Sequence, residues 1–570
     1  MAHSKSSKTQ RICRLFFYVL ALLFVALRIN CAAFYRVDSD EPQHLHVVWS
    51  VANGLVQYRD VFDNHSPLFH LLCAPLFQAL GERADIVECM RMAMIPLYFG
   101  SIACIYLICA GLFSRRCGVW AALWTALFPR FFCTSIEFRP DNLWALVLLL
   151  LLAVLVRVRP PLARWFLSGL LLGIGFSISM KTSVMALDLA VSGVLTWILC
   201  KDANGNLALR QFAKSAALFV SGLAMVPGVL LLRFAAEGAL GNLYYCLIRH
   251  NLIAASERTK HLDFRGIATL AALAGIVWWS RRMIRRTDDP GLAARRVFLF
   301  LVGGIYPVIL FILWPLVTRE DFLVLVPVVG MVAAPMLIAA REDVRRRPQL
   351  AAMETVIPAC LVLALLAIDI HTTKPWRDRA DFEEGFIANT LKLTDPGDYV
   401  MDPKGEMIYR NRPVYYALEE MTRWMFKRGK LSDEIPEQMI AHGVCVAAKN
   451  GERYPARTAK FLKENFVPVS FRVLVAGKIL RPETTSFEIA IPARYALVGA
   501  MEPGGVLLDG KKYEGPLRLA GGKHSIQTSA GTGSLAIVWA QAVERGFAPF
   551  YRPSAEEEWE SGQARRDNIL

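Results

Sequence analysis

Between residues 15 and 370 the chain alternates long apolar runs with short polar loops. The runs fall at roughly 15–35, 90–113, 118–134, 142–158, 165–181, 184–200, 215–233, 266–280, 297–315, 322–340 and 351–370. Each is close to the length an α-helix needs to cross a bilayer, about 20 residues. The pattern predicts an α-helical polytopic membrane protein of about eleven transmembrane helices. The first run follows a basic lead (Lys5, Lys8, Arg11, Arg14) and has no small-residue cleavage site after it. It therefore reads as a retained helix rather than a removed signal peptide.

Composition agrees with this class. Hydrophobic residues make up 55% of the 570 residues, and the mean hydropathy is +0.37. The net charge of +15 would suit nucleic acid, but the basic residues lie in short loops between apolar runs, as membrane topology requires. Basic loops occur at Arg115-Arg116, Arg157 to Arg164, Lys201 to Lys214, Arg281 to Arg296 and Arg341 to Arg347. Placing all of them in the cytoplasm makes the runs alternate consistently. The odd number of crossings then puts the N-terminus inside and everything after Ile370 outside. The acidic stretch Asp38-Ser39-Asp40-Glu41, the stretch Glu137 to Asp141, Lys181, the loop from Phe234 to Gly266 and Arg319 fall together on the outer side. This convergence predicts one outward-facing site.

The first outer segment, Arg36 to about Cys89, has helix signals. Pro42 suits a first helical position, with Asp40 or Glu41 as cap, and Asn53-Gly54 is a stop. A second helix is expected from Ser66-Pro67 to Gly81. Short helices of this kind lie along a membrane surface, with Trp49 and Tyr58 at headgroup depth.

Three carboxylates at the mouth of the first span have no part in crossing the membrane. Crowded acids repel one another, which suits proton abstraction or cation binding. Asp40 also reads as a helix cap with Gln43 as its capping partner. Asp141 either caps the fourth span or helps to form a site, and Glu137 and Arg139 either pair with each other or hold a substrate. Lys181 either snorkels to the interface or meets a phosphate. Arg319 either bridges to Glu320 or Asp321 or grips a phosphate in a fork. Arg28, inside the first span, snorkels or pairs within the bundle. Tyr244, Tyr245, Arg249, His250, Arg258 and Lys260 read as an interfacial belt. His44, His46, His65 and His70 lie near the acids, but a metal site of Asp40, Glu41, His44 and His65 has no spacing signature.

Four stretches carry a family resemblance. DSDEPQHLHVVWSVANGLVQYRDVFDNHSPLFHLLCAP resembles the first outer loop of the GT-C glycosyltransferases. EFRPDNLW (Glu137 to Trp144), GLLLGIGFSISMK (Gly169 to Lys181) and TREDFLVLVP (Thr318 to Pro327) follow in the same order. The set is most similar to the bacterial branch related to protein O-mannosyltransferases and aminoarabinose lipid A transferases. The resemblance implies a transferase that moves a sugar, hexose or pentose, from a polyprenyl-phosphate carrier. The acceptor is a lipid, a glycan or a protein at the outer face, and inversion is the normal outcome. It places a multi-pass enzyme in a bacterial inner (plasma) membrane. It implies Asp40 as base, with Glu41 or Asp38 tuning it, because the family motif has an acidic pair after the first span. Asp38 is an extra carboxylate. It further implies Lys181, Arg319, Asp141, Arg139, Glu137 and His65 as donor-phosphate or substrate-binding residues. The bilayer is a partner and nucleic acid is not. No cofactor is expected; some relatives use a divalent ion, but the branch suggests no metal here.

Four regions follow: a transmembrane glycosyltransferase domain at 1–370, an extracytoplasmic α/β domain at 371–490, a small β-sandwich-like domain at 491–545 and a polar tail at 546–570. GDYVMDP and GVCVAA read as strands and RTAKFLKENF as a helix. TDPGDYVMDPKGEMIYRNRPVYY resembles the start of that branch's outer domain, and the strands from Tyr495 to Val543 resemble the PEGA-type pattern. Only Cys445 lies in the C-terminal region, which therefore has no internal disulfide. No glycine-rich phosphate loop and no GxSxG motif occurs, which leaves ATP-driven transport and serine hydrolysis without support. A transporter or lipid flippase would also carry intramembrane charges. A sensor or scaffold would depend on residues 371–570 instead of Asp40.

Overall fold

The computed structural model describes residues 18–19, 21–200, 209–252, 264–285, 287–314, 317–345, 353–450, 452–499, 505–528, 533–552 and 554. The basic lead Lys5 to Arg14, the loop residues Lys201, Arg258, Lys260 and Arg347, and the tail beyond residue 554 lie outside these. The chain divides into two compact units. The first comprises Met1–Arg36, Asn64–Leu72 and Glu88–Arg379; the second comprises Val37–Asp63, Cys73–Val87 and Ala380–Leu570.

The first unit is helical. Among the described residues of the chain seven helices are long and apolar enough to cross a membrane: Ile86–Leu112, which starts at the end of the second unit's Cys73–Val87 segment, Pro140–Arg157, Pro161–Ile178, Thr182–Leu199, Gln211–Ala236, Pro290–Ile312 and Arg319–Ala339. The first and last expected spans appear as the shorter helices Ala21–Phe34 and Cys360–Thr373. The span expected at 266–280 is the helix Phe264–Arg285, which ends among arginines. The span expected at 118–134 is broken into Arg115–Ala126 and Pro129–Thr134. Proline lacks the N–H a continuous helix would use, and it forces extended backbone on the residue before it. Phe128 accordingly has φ −74° and ψ 118°.

The small residues before Lys181 pack against a neighbouring helix. A Cβ on Gly173 would lie 2.4 Å from the Leu223 carbonyl oxygen, and one on Gly169 would lie 2.0 Å from that of Phe219. These glycines let two helix backbones touch, so the stretch faces a neighbouring helix. Arg28 pairs within the bundle. Its guanidinium donates to the Phe132 carbonyl (2.6 Å) and to Ser135 Oγ (3.0 Å) and lies over the Tyr98 ring.

The second unit contains eleven strands among its described residues. They are β1 (Val400–Met401), β2 (Val446–Ala448), β3 (Phe466–Ser470), β4 (Val473–Leu480), β5 (Ser486–Ile489), β6 (Ala493–Gly499), β7 (Val506–Leu508), β8 (Lys511–Lys512), β9 (Leu517–Leu519), β10 (Gly522–Thr528) and β11 (Leu535–Trp539). One sheet has the order β1-β2-β4-β11-β6-β9, with β3 also on β4; the other has the order β5-β10-β7-β8. Strand β11 pairs with both β4 and β6. The larger sheet therefore runs without interruption across residue 490. Phe487, Ile489, Val506 and Ile526 from the smaller sheet share a core with Leu497, Leu519, Leu535 and Ile537 from the larger.

The helix Glu41–Ala52 belongs to this second unit. Pro42 sits in its first turn, Asn53 ends it, and Gly54 takes φ +81°. All residues from Glu41 to Ser50 are buried. Trp49 and Tyr58, expected at headgroup depth, are buried in protein instead. Trp49 stacks on His46, and the Tyr58 carbonyl accepts the Tyr415 hydroxyl. Apolar periodicity marks a covered face without showing whether lipid or protein covers it.

Candidate active site

Three turns at helix ends bring charged residues of the first unit together. Glu137 and Arg139 precede the helix Pro140–Arg157, and Arg139 is extended because Pro140 follows it. Lys181 lies in the tight link between the helices ending at Ile178 and starting at Thr182. Arg319, Glu320 and Asp321 form a 3₁₀ turn capped by Thr318, whose N–H donates to Asp321 Oδ2 at 2.8 Å. These turns lie at one end of the bundle, as the alternation of spans requires.

The ion pairs form a connected network. Arg139 meets Glu320 at 3.0 Å, Glu137 at 3.3 Å and Asp141 at 3.8 Å. Lys181 meets Asp321 at 3.0 Å and Asp141 at 3.3 Å. Arg319 meets Glu320 at 3.1 Å and Glu137 at 3.5 Å. His65 lies in the same unit. Burial is graded. The four carboxylate side chains are 1–9% exposed, and Arg139 is 6% exposed. Lys181 and Arg319 are 23% and 22% exposed. A buried acidic layer thus holds two accessible cations in fixed positions. Such a pair can meet an anion without first paying the entropy of ordering two long side chains.

Arg319 forms the expected bridge to Glu320 and also reaches Glu137, and Asp141 pairs with Lys181 and Arg139. Glu320 and Asp321 complete the network. The sequence marked them only as partners of Arg319, because the link from Asp321 to Lys181 joins distant parts of the chain.

The acidic stretch lies in the second unit. The Asp38 N–H donates to Glu41 Oε1 (2.8 Å), and the Asp40 N–H donates to Asp38 Oδ1 (3.1 Å). Asp38 and Glu41 are buried and shape this turn. Asp40 stands at the N-cap position of its helix, yet its side chain makes no cap bond, so the expected pairing with Gln43 is not formed. Its carboxylate is 35% exposed and bonds to Lys404 Nζ. Lys404 went unnoticed because only folding carries the turn after β1 to residue 40.

That turn is tightly built. Asp402 accepts the N–H of Gly405 and of Met407 (2.9 Å), and it pairs with Arg412 at 3.1 Å. Gly405 has φ +87°, and a Cβ there would lie 2.6 Å from His46 Cβ. His46 Nδ1 is 2.8 Å from the Ile408 carbonyl oxygen. Burial pushes the His46 pKa below its ordinary value, against the opposing pull of Asp402. Among the described residues no three His, Cys, Asp or Glu side chains group as metal ligands.

The family model for dolichyl-phosphate-mannose-protein mannosyltransferases matches residues 64–230. No curated protein matches the chain by sequence. ArnT from Cupriavidus metallidurans bound to undecaprenyl phosphate superposes with a TM-score of 0.54 at 13% identity, covering 81% of this chain and 97% of ArnT. Its apo state gives 0.50 at 12% identity, with the same coverages. The oligosaccharyltransferase of Archaeoglobus fulgidus in its apo form gives 0.46 at 10% identity, covering 79% of this chain and 72% of that one. The chain thus has the GT-C glycosyltransferase fold, similar to that of ArnT, and is similar to the protein O-mannosyltransferases across its early helices.

Proposed function

We propose that this protein transfers a sugar from a polyprenyl-phosphate carrier to a lipid, glycan or protein acceptor at the extracytoplasmic face of the membrane. The observation that carries the reading is the pair of accessible cations, Lys181 and Arg319, held by buried carboxylates at one end of the helical bundle. A departing lipid phosphate gathers negative charge in the transition state, and fixed cations at that point lower the barrier. An ammonium and a forked guanidinium are the groups that suit it. The ArnT structure bound to undecaprenyl phosphate has the same fold, which supports this choice of carrier.

In the reaction an acceptor hydroxyl or amine attacks the anomeric carbon. The bond from that carbon to the phosphate oxygen breaks, and the electron pair leaves with the phosphate. Attack opposite the leaving group inverts the anomeric centre. Asp40 takes the acceptor's proton. It is the only one of the three neighbouring carboxylates left unburied; Asp38 and Glu41 set its turn. Glu137, Asp141 and Arg139 keep Lys181 and Arg319 in position.

The test is transfer by the protein in lipid nanodiscs from synthetic polyprenyl-phosphate sugars. Asp40→Asn should remain folded, with a lowered unfolding midpoint because buried Lys404 loses its counter-charge, and lose about 10²–10⁴-fold in turnover, the usual contribution of a positioned base. Normal turnover in Asp40→Asn removes Asp40 from the chemistry. Movement of an intact sugar-lipid without its cleavage would identify a flippase instead.

A further inference from the structure

The second unit contains a cavity of about 310 Å³, at the lower end of the range of small-molecule sites, about 300–1,000 Å³. His46, Asp60, Tyr399, Asn411, Arg412 and Tyr415 line it, with Leu55, Val61 and Val414 between them. The charges in this wall are already compensated. Arg59 holds both oxygens of Asp60, each at 2.9 Å, and Arg412 is paired with Asp402. A charged ligand would have to displace one of these pairs, so the wall favours a neutral one.

The wall also keeps hydrogen-bonding capacity unused. A carbonyl oxygen only accepts, so His46 Nδ1 carries the proton it shares with Ile408. Burial holds its pKa below the ordinary value, and with the proton on Nδ1 the other nitrogen, Nε2, is an acceptor. Arg412 spends Nε and Nη2 on the carbonyls of Asp402, Pro403 and Tyr416. Its Nη1, the Asn411 side-chain amide and the Tyr399 hydroxyl have no protein partner among the described residues. Tyr399 is held in a stack on His442 at 4.4 Å. Donors, acceptors and fixed aromatic rings around a small neutral space suit a ring that carries several hydroxyl groups. An apolar ligand would leave these groups unpaired, at a cost.

We propose that this cavity binds one neutral sugar ring. The ring belongs either to a glycan acceptor or to the carrier-linked sugar. Its role in transfer rests on the function proposed above, whereas its binding chemistry does not.

The experiment uses the full-length protein in nanodiscs free of sugar headgroups. The probes are glucose, galactose, mannose and N-acetylglucosamine with their common disaccharides, followed by saturation-transfer NMR and calorimetry. At least one probe should bind saturably. Asn411→Leu and Tyr399→Phe should each weaken it at least tenfold without lowering the unfolding midpoint; Tyr399→Phe removes a single oxygen and keeps the stack. No binding by any probe, or unchanged binding in both variants, overturns the proposal. In the transfer assay, a raised KM for the acceptor identifies the acceptor's ring, and a raised KM for the donor identifies the donor's. Lys181→Met separates the two readings. Normal transfer by that variant defeats the carrier-phosphate assignment, while free-sugar binding by the cavity is judged on its own.

Discussion

Replacing Arg139 with methionine should destabilise the first unit through charge rather than volume. Methionine fills much of the arginine stem, but it leaves Glu137, Asp141 and Glu320 buried and without their shared cation. At the 3.0 Å separation from Glu320, and with an effective dielectric constant of about 20, the Coulomb attraction is about 5–6 kcal/mol. Part of that only offsets desolvation, so removing one member of such a buried set costs about 3–5 kcal/mol net. At roughly 2 °C per kcal/mol for a large domain, the unfolding midpoint should fall by about 6–10 °C. The assay is thermal unfolding in nanodiscs, followed by intrinsic tryptophan fluorescence. Each of the three acids still meets Arg319 or Lys181, but the buried set then holds four carboxylates against two cations, so adding Glu320→Gln to Arg139→Met removes one excess charge and should recover part of the loss. A midpoint within 1 °C of wild type in the single variant, or a double variant no better than the single, would refute the view of Arg139 as the hub of the network.

Three further outcomes follow from the geometry. Lys181→Met should weaken binding of undecaprenyl phosphate about 10- to 150-fold, the equivalent of one charge-assisted hydrogen bond of about 1.5–3 kcal/mol; equal affinity by calorimetry returns Lys181 to a structural role. Gly173→Leu should prevent close approach of the helices Pro161–Ile178 and Leu209–Ala236, since even a Cβ would meet backbone at 2.4 Å; wild-type expression and unfolding would contradict this packing. The second unit should lose stability in acid as His46 charges. Its folded pKa lies below the ordinary 6.5, so the unfolded chain binds more protons in that window and stability falls as pH drops through it. His46→Gln should flatten the dependence of the midpoint between about pH 7.5 and 5, and an unchanged slope would exclude His46 as its source.

Seven of the eleven expected spans were legible because a bilayer imposes a length and an apolar composition that any reader of the chain can find. Pro129 was equally visible, yet its break in the expected third span depends on whether neighbouring helices accept a kink. The fate of the segment after residue 36 was not legible. Its helix Glu41–Ala52 was bounded correctly by Pro42 and Asn53-Gly54, but Trp49 and Tyr58 went into protein, because periodicity marks a buried face without naming what buries it.

For the candidate site, the residue types and their meeting at one end of the bundle could be read from charge and alternation. Glu137, Arg139, Asp141, Lys181 and Arg319 do converge in the first unit. What the linear chain determined was local: which runs become helices, where a proline or glycine stops them, and which polar residues sit at their ends. Tertiary structure alone decided the pairings, such as Lys181 with Asp321 and Asp40 with Lys404. Local backbone preferences act over a few residues, whereas an ion pair between positions 40 and 404 exists only after the intervening chain has folded.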